Sequence, residues 1–187
     1  MITWPKISIV IPTFNEEKNI QNCLESIFRQ QYPKDKLEVL VVDDNSTDRT
    51  LEISKRFPVK ILISGKKHGE VSKMVGFKVV TGEYYMYLDA DIELVGNNWF
   101  QKMIRPLEEN KDVVGVFTWE GSRKTDSALE RYLSFDVLQR DSLYNFFSPS
   151  IEETVTSKKT DIGFLIIRKG GYLLPEDACI VVNLLRI

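Results

Sequence analysis

Tyr84-Tyr85-Met86-Tyr87-Leu88-Asp89-Ala90-Asp91 is an apolar run that ends in two carboxylates one residue apart. The run reads as a buried strand. In extended backbone residues i and i+2 face the same way, so Asp89 and Asp91 are expected to leave the strand end on one side. Paired carboxylates of this kind suit a hard divalent cation. Mg²⁺ or Mn²⁺ is commonly held by one or two of them, with phosphate oxygens and water completing the shell, so the pattern predicts a metal-bridged diphosphate ligand. Asp-x-Asp also occurs as solvated or helix-capping chemistry, and the surroundings must decide between the two.

Upstream, Lys6-Ile7-Ser8-Ile9-Val10-Ile11-Pro12 predicts another buried strand, followed by Thr13-Phe14-Asn15-Glu16-Glu17 and an amphipathic helix running to about Gln30. Leu37-Glu38-Val39-Leu40-Val41-Val42 predicts a third strand. It ends in Asp43-Asp44-Asn45-Ser46-Thr47-Asp48, after which helical spacing resumes at Leu51, Ile53 and Phe57. Strands alternating with helices indicate an α/β fold with a mostly parallel sheet, whose ligands lie beyond the carboxyl ends of the strands. Three polar clusters are therefore expected at one edge. No Gly-x-Gly-x-x-Gly follows the first strand, and acidic residues crowd the helix start where a pyrophosphate would otherwise sit, which disfavours a dinucleotide oxidoreductase.

Taken in order, Ile9-Val10-Ile11-Pro12-Thr13-Phe14-Asn15-Glu16, Val41-Val42-Asp43-Asp44-Asn45-Ser46-Thr47-Asp48, Gly82-Glu83-Tyr84 and Leu88-Asp89-Ala90-Asp91 resemble the family 2 glycosyltransferases, GT-A fold enzymes that use nucleotide-activated sugars. The resemblance is dense over about residues 6 to 120 and thin beyond. Gly69-Glu70-Val71-Ser72-Lys73-Met74-Val75-Gly76 matches a further family segment in part, with Met74 standing where the family has Asn.

The resemblance implies a GT-A-like, Rossmann-type domain spanning 1–187. Residues 1–95 would form the nucleotide-sugar half and 96–187 an acceptor half that is short at its C-terminus. It places Pro12, Thr13 and Glu16 against the nucleoside, Asp43 and Asp44 at the base and ribose, and Lys73 at the nucleotide. Asp91 would carry the metal, and Asp89 would contact ribose or a metal-bound water. Pro175-Glu176-Asp177 resembles the motif that supplies the base for an inverting transfer, which makes Asp177 that base. Each position also has an ordinary structural reading. Asn15 could cap the following helix, Ser46 or Thr47 could cap the next with Asp48 in its first turn, Lys73 could be a solvated helix lysine, and Pro175 with its two acids could open a terminal helix.

Two readings from other classes compete with a sugar transferase. One is a sugar-nucleotide-binding module with weak or no turnover. The other is a nucleotidyltransferase, which the lack of a Gly-rich basic triphosphate loop disfavours. At 187 residues, with 43% hydrophobic and 28% charged, the chain can build one sizeable core. Its net charge of −2 argues against a nucleic-acid partner. Cys23 and Cys179 match no metal spacing and fit thiols in a reducing, cytoplasmic setting, and lone His68 reads as a loop residue. No run approaches the ~20 apolar residues needed to span a bilayer.

Downstream, a helix is expected over 98–107, a strand over 112–118, and a helix from the capping box Ser127-Ala128-Leu129-Glu130 to about Phe147. The last carries a broad apolar surface. Core packing is the simpler account of it; an acceptor groove, or peripheral contact at the inner membrane face with a lipid-linked acceptor, is the other. A strand over 160–168 and a helix over 178–187 complete the expectation. The resemblance implies a nucleoside diphosphate sugar as donor and a glycan, lipid-linked or small-molecule acceptor.

Overall fold

A computed structural model describes residues 4–65, 69–111, 113–118, 164–168 and 184–186. The expected Asp177 base, the 127–147 helix, His68 and Cys179 lie outside these residues. β1 (Ile7–Thr13) and β2 (Leu37–Asp43) are buried along almost their whole length, which explains why their sequences read as continuous apolar runs rather than as alternation. β1 pairs in parallel with β2 on one side and with β4 (Tyr84–Tyr87) on the other, and β2 pairs in parallel with β3 (Lys60–Ile63). β5 (Val113–Thr118), β6 (Phe164–Arg168) and β7 (Leu184–Arg186) extend the sheet in the order β3-β2-β1-β4-β7-β5-β6.

Because β7 is antiparallel to both β4 and β5, β5 runs in the same direction as β4. The chain therefore leaves β5 at Thr118, and re-enters the sheet at Phe164, on the edge where β1, β2 and β4 end. The helices are α1 (Ile20–Phe28), α2 (Thr50–Ser54), α3 (Gly69–Phe77) and α4 (Trp99–Glu109). An isolated nine-residue helix is marginal in water, but α1 buries Ile20, Cys23, Leu24 and Ile27 at helical spacing. They join Ile7, Ile9, Ile11, Val39 and Val41 of the sheet and Phe100, Met103 and Leu107 of α4 in the main core. The alternate residues Val10, Leu40 and Val42 face the other way and take Val75 and Val80 as partners. The period-two alternation of the strands thus divides the core between two faces.

Two elements of the sheet depart from the sequence reading. Residues 184–186 are a strand, not part of a terminal helix; a short apolar run is ambiguous in period, and ladder pairing with β4 and β5 decides it. β3 was not anticipated, because Lys60 and a half-exposed face leave it without an apolar signature.

One buried charge holds the amino end of the sheet. Glu38 accepts from Ser8 Oγ at 2.5 Å, Lys60 Nζ at 2.8 Å, and the Thr81 N–H and Oγ1 at 2.8 and 3.0 Å. Burial alone would raise its pKa. The hydrogen bonds from Lys60, Ser8 and Thr81 outweigh that and hold it at about 2 against an ordinary 4.5. The folded value is depressed, so the stabilisation is complete above the ordinary pKa and is lost as pH falls toward 2. Between pH 6 and pH 3 this group should cost the fold about 2 kcal/mol. Urea midpoints measured at both pH values should show a markedly smaller acid loss in Glu38→Gln than in the parent; an equal loss would exclude Glu38 as the source.

Candidate functional site

The loops that follow β1 and β2 are fastened to each other. Asn15 and Asn45 adopt left-handed backbone, with φ of 57° and 62°, a conformation short polar side chains tolerate better than most. The Asn15 N–H donates to Ser46 Oγ at 2.9 Å, and the Thr47 N–H donates to Asn15 Oδ1 at 2.8 Å. The Glu16 N–H donates to Thr50 Oγ1 at 2.8 Å and the Glu17 N–H to Asp48 Oδ2 at 3.0 Å. Asn15 is thus a loop clasp rather than a helix cap: α1 starts at Ile20, after a turn in which the Glu16 carbonyl accepts from Asn19 and Ile20. Likewise Asp48, not Ser46 or Thr47, takes the free N–H at the start of α2, accepting from Thr50 at 2.9 Å.

Asp43 is fully buried beneath this clasp. It accepts from Thr13 Oγ1 at 3.0 Å and from the Ser46 N–H at 2.8 Å. Its neighbour Asp44 donates its N–H to the Thr13 carbonyl at 2.9 Å, and its Oδ1 accepts from Ser64 Oγ at 3.0 Å. Ser64 Oγ lies 2.8 Å from Ser72 Oγ, which ties α3 to the end of β2.

β4 stops at Tyr87, so Asp89-Ala90-Asp91 forms a turn closed by the Ile92 N–H on the Asp89 carbonyl at 3.0 Å, rather than a continuing strand. The turn still presents both carboxylates to one place. Pro12, Thr13, Phe14, Glu16, Asp44, Gly69, Ser72, Asp89, Ala90 and Asp91 line a single open cavity of about 290 Å³ at the carboxyl edge of β1, β2 and β4. Lys73 adjoins it: its Nζ is 3.5 Å from Asp89 Oδ1 and 4.1 Å from the centre of the Tyr87 ring. Asp43 stands behind the cavity as its support.

Phe14 was not singled out from the sequence, although it sits between two residues that were. Its ring is 55% exposed while lining the cavity, and an aromatic left in water inside a polar cleft is the signal that identifies it. Met74, at the position where the family has Asn, is exposed at 62% and lies outside the lining. Cys23 lies beneath the turn, its Sγ 3.9 Å from the Asp89 carbonyl. Burial, with Asp91, Glu93, Asp89 and Glu16 around it, pushes the thiol up to about 12, which favours the protonated thiol.

Two exposed carboxylates at a cavity mouth match the oxygen donors Mg²⁺ or Mn²⁺ takes from a protein when a ligand supplies the remaining oxygens. Among the described residues no group of three or more His, Cys, Asp or Glu is placed to hold a metal ion. Among the same residues no helix is long and apolar enough to cross a membrane.

Residues 8–168 match the model of glycosyl transferase family 2. Glycosyltransferase AglE of Haloferax volcanii is 35% identical over 147 residues, which are 73% of this chain and 47% of that one. Among solved structures, Staphylococcus aureus TarS in complex with UDP superposes with a TM-score of 0.55 at 29% identity, over 65% of this chain and 38% of that one. The mannosyltransferase PcManGT of Pyrobaculum calidifontis, in complex with GDP-Man and Mn²⁺, gives 0.57 at 26% identity, over 63% and 36%. The chain spans less than half the length of each of these relatives. With the family model covering most of its residues, the chain belongs to glycosyl transferase family 2.

Proposed function

We propose that the chain transfers a sugar from a nucleoside diphosphate sugar to an acceptor hydroxyl or phosphate, with inversion at the anomeric carbon and with the help of Mn²⁺ or Mg²⁺. The observation that carries this reading is the single cavity at the carboxyl edge of the sheet. On one side it holds Pro12, Thr13, Phe14, Glu16 and Asp44, and on the other Asp89 and Asp91. The relatives solved with UDP and with GDP-Man and Mn²⁺ support the donor class.

In this reading the two sides divide the donor between them. Asp44, held by Ser64, accepts from a base imide N–H or a ribose hydroxyl, and Phe14 gives the base a face to stack on. Thr13 and Glu16 line the nucleoside side, and Asp43 acts through Thr13 and Ser46 to fix the loop. Asp91 and Asp89 would hold the cation on the diphosphate side. When bound there, the ion would offset the negative charge that gathers on the diphosphate as the sugar–phosphate bond breaks. Residues 1–95 form the donor half. The acceptor half follows, with β5 ending and β6 beginning at the edge where the carboxylates stand.

Asp177 is the proposed base that takes the acceptor proton as the oxygen attacks the anomeric carbon. Asp177→Asn should therefore keep the donor dissociation constant within about twofold while lowering transfer by 10²-fold or more. Nucleotide release from the donor, measured with and without acceptor, checks it, and full turnover in Asp177→Asn would assign the base to another group.

The chain spans less than half of its relatives' length. The alternative to the transferase reading is a donor-binding module with little transfer. It predicts tight nucleotide binding with no nucleotide release from any donor.

A further inference from the structure

The geometry points to Lys73 as a built-in counter-ion that occupies Asp89 and suppresses divalent-cation binding to the empty cavity, so that the cation enters together with the diphosphate. This rests on the donor-site reading above and deepens it. Lys73 is only 17% exposed, yet its ammonium lies 3.5 Å from Asp89 Oδ1, and Asp89, at 54% exposed, lines the cavity. The ammonium also stands 4.1 Å from the centre of the Tyr87 ring, on the strand residue two before Asp89, so two attractions hold it at the same place.

The helix that carries Lys73 is itself fixed. Ser72, the preceding residue, is buried and meets Ser64, which in turn holds Asp44 on the nucleoside side. Lys73 is thus set by the same hydrogen-bonded chain that orders Asp44. A dication approaching Asp89 must displace the ammonium from the carboxylate or accept its repulsion at a few ångströms, and either lowers affinity. A diphosphate arriving with the cation changes the balance, because its oxygens complete the metal shell and give the displaced ammonium an anionic partner. Lys73 then opposes metal binding in the empty site and favours it in the loaded one.

The test uses the full chain, with free Mn²⁺ followed by electron paramagnetic resonance. Lys73→Met should bind Mn²⁺ alone about tenfold or more tightly than the parent, since the like charge near the site is gone. Lys73→Arg, which keeps the charge, should stay close to the parent. With UDP or GDP present the order should reverse, the parent holding Mn²⁺ more tightly than Lys73→Met. Lys73→Gln replaces the methionine variant if circular dichroism shows that the latter is not folded.

Parent and uncharged variants with equal or weaker Mn²⁺ affinity in the absence of nucleotide, while the parent binds Mn²⁺ with nucleotide, would overturn the counter-ion role and leave the donor-site reading intact. No Mn²⁺ binding by either protein, with or without nucleotide, would overturn both.

Discussion

Asp91→Ala should lose metal-dependent donor binding and lower sugar transfer by 10²-fold or more, about 2.7 kcal/mol of transition-state stabilisation, while the protein remains folded. The size follows from where the charge develops. In the proposed reaction the donor's leaving group is a diphosphate, and a carboxylate holding the neutralising ion would act only when that ligand is present. Asp91 is exposed on a turn, so its removal should shift the thermal midpoint by no more than about 2 °C. Calorimetric titration of UDP and GDP with Mn²⁺ separates the two effects. Donor affinity equal to the parent's would remove Asp91 from the metal site.

The second large effect is on stability and lies at the other end of the sheet. Gly82→Ala should destabilise the fold by about 3 kcal/mol and lower its midpoint by roughly 6–12 °C. A Cβ on Gly82 would stand 2.7 Å from Ser8 N, 2.7 Å from Ser8 Oγ and 2.9 Å from Lys6 O. Two of those atoms are backbone of the entry to β1, which cannot swing aside as a side-chain end could. The Gly82 N–H also donates to Ser8 Oγ at 2.9 Å, and Ser8 donates in turn to buried Glu38. A shift at Gly82 therefore disturbs the same network that gives the fold its acid sensitivity. Gly69→Ala is the control, because a Cβ there meets nothing within 4 Å. Thermal unfolding of both variants should show a large loss in the first and nearly none in the second; equal midpoints would mean that β1 yields more easily than its pairing suggests.

The central sheet was legible because its strands are buried on both faces. Residues 7–11 and 37–42 have no polar side to hide their pattern beyond the paired Ser8 and Glu38, and each run ends in a polar loop. The candidate cavity was legible through those loops, since Thr13 ends β1, Glu16, Asp44, Asp89 and Asp91 follow strand ends, and the structure brings all five to one cavity. What sequence pattern misjudged was the local work of their neighbours. Asn15, Ser46 and Thr47 look like helix caps when each loop is read alone. Their partners lie about thirty residues away in the opposite loop, a pairing no local window contains.

The Asp89–Asp91 pair reached the expected place by another route, through a turn instead of a pleat. The terminal apolar run was misread because a three-residue strand has too few positions to express a period, and its identity comes from the strands on either side. Lys73 read either as a solvated helix lysine or, by the family resemblance, as a nucleotide contact. Only the fold shows that α3 delivers it to Asp89.

The measurement that tests the donor-site account most directly is thermal unfolding of the parent protein with UDP, GDP, CDP, dTDP and ADP, each with Mn²⁺ and with chelator. A ligand at 100 times its dissociation constant adds about 2.7 kcal/mol, so a true site should raise the midpoint by roughly 5–10 °C. The account predicts such a rise for at least one of these nucleotides, present with Mn²⁺ and abolished by chelator. An unchanged midpoint with all five, in the presence and absence of Mn²⁺, would contradict it.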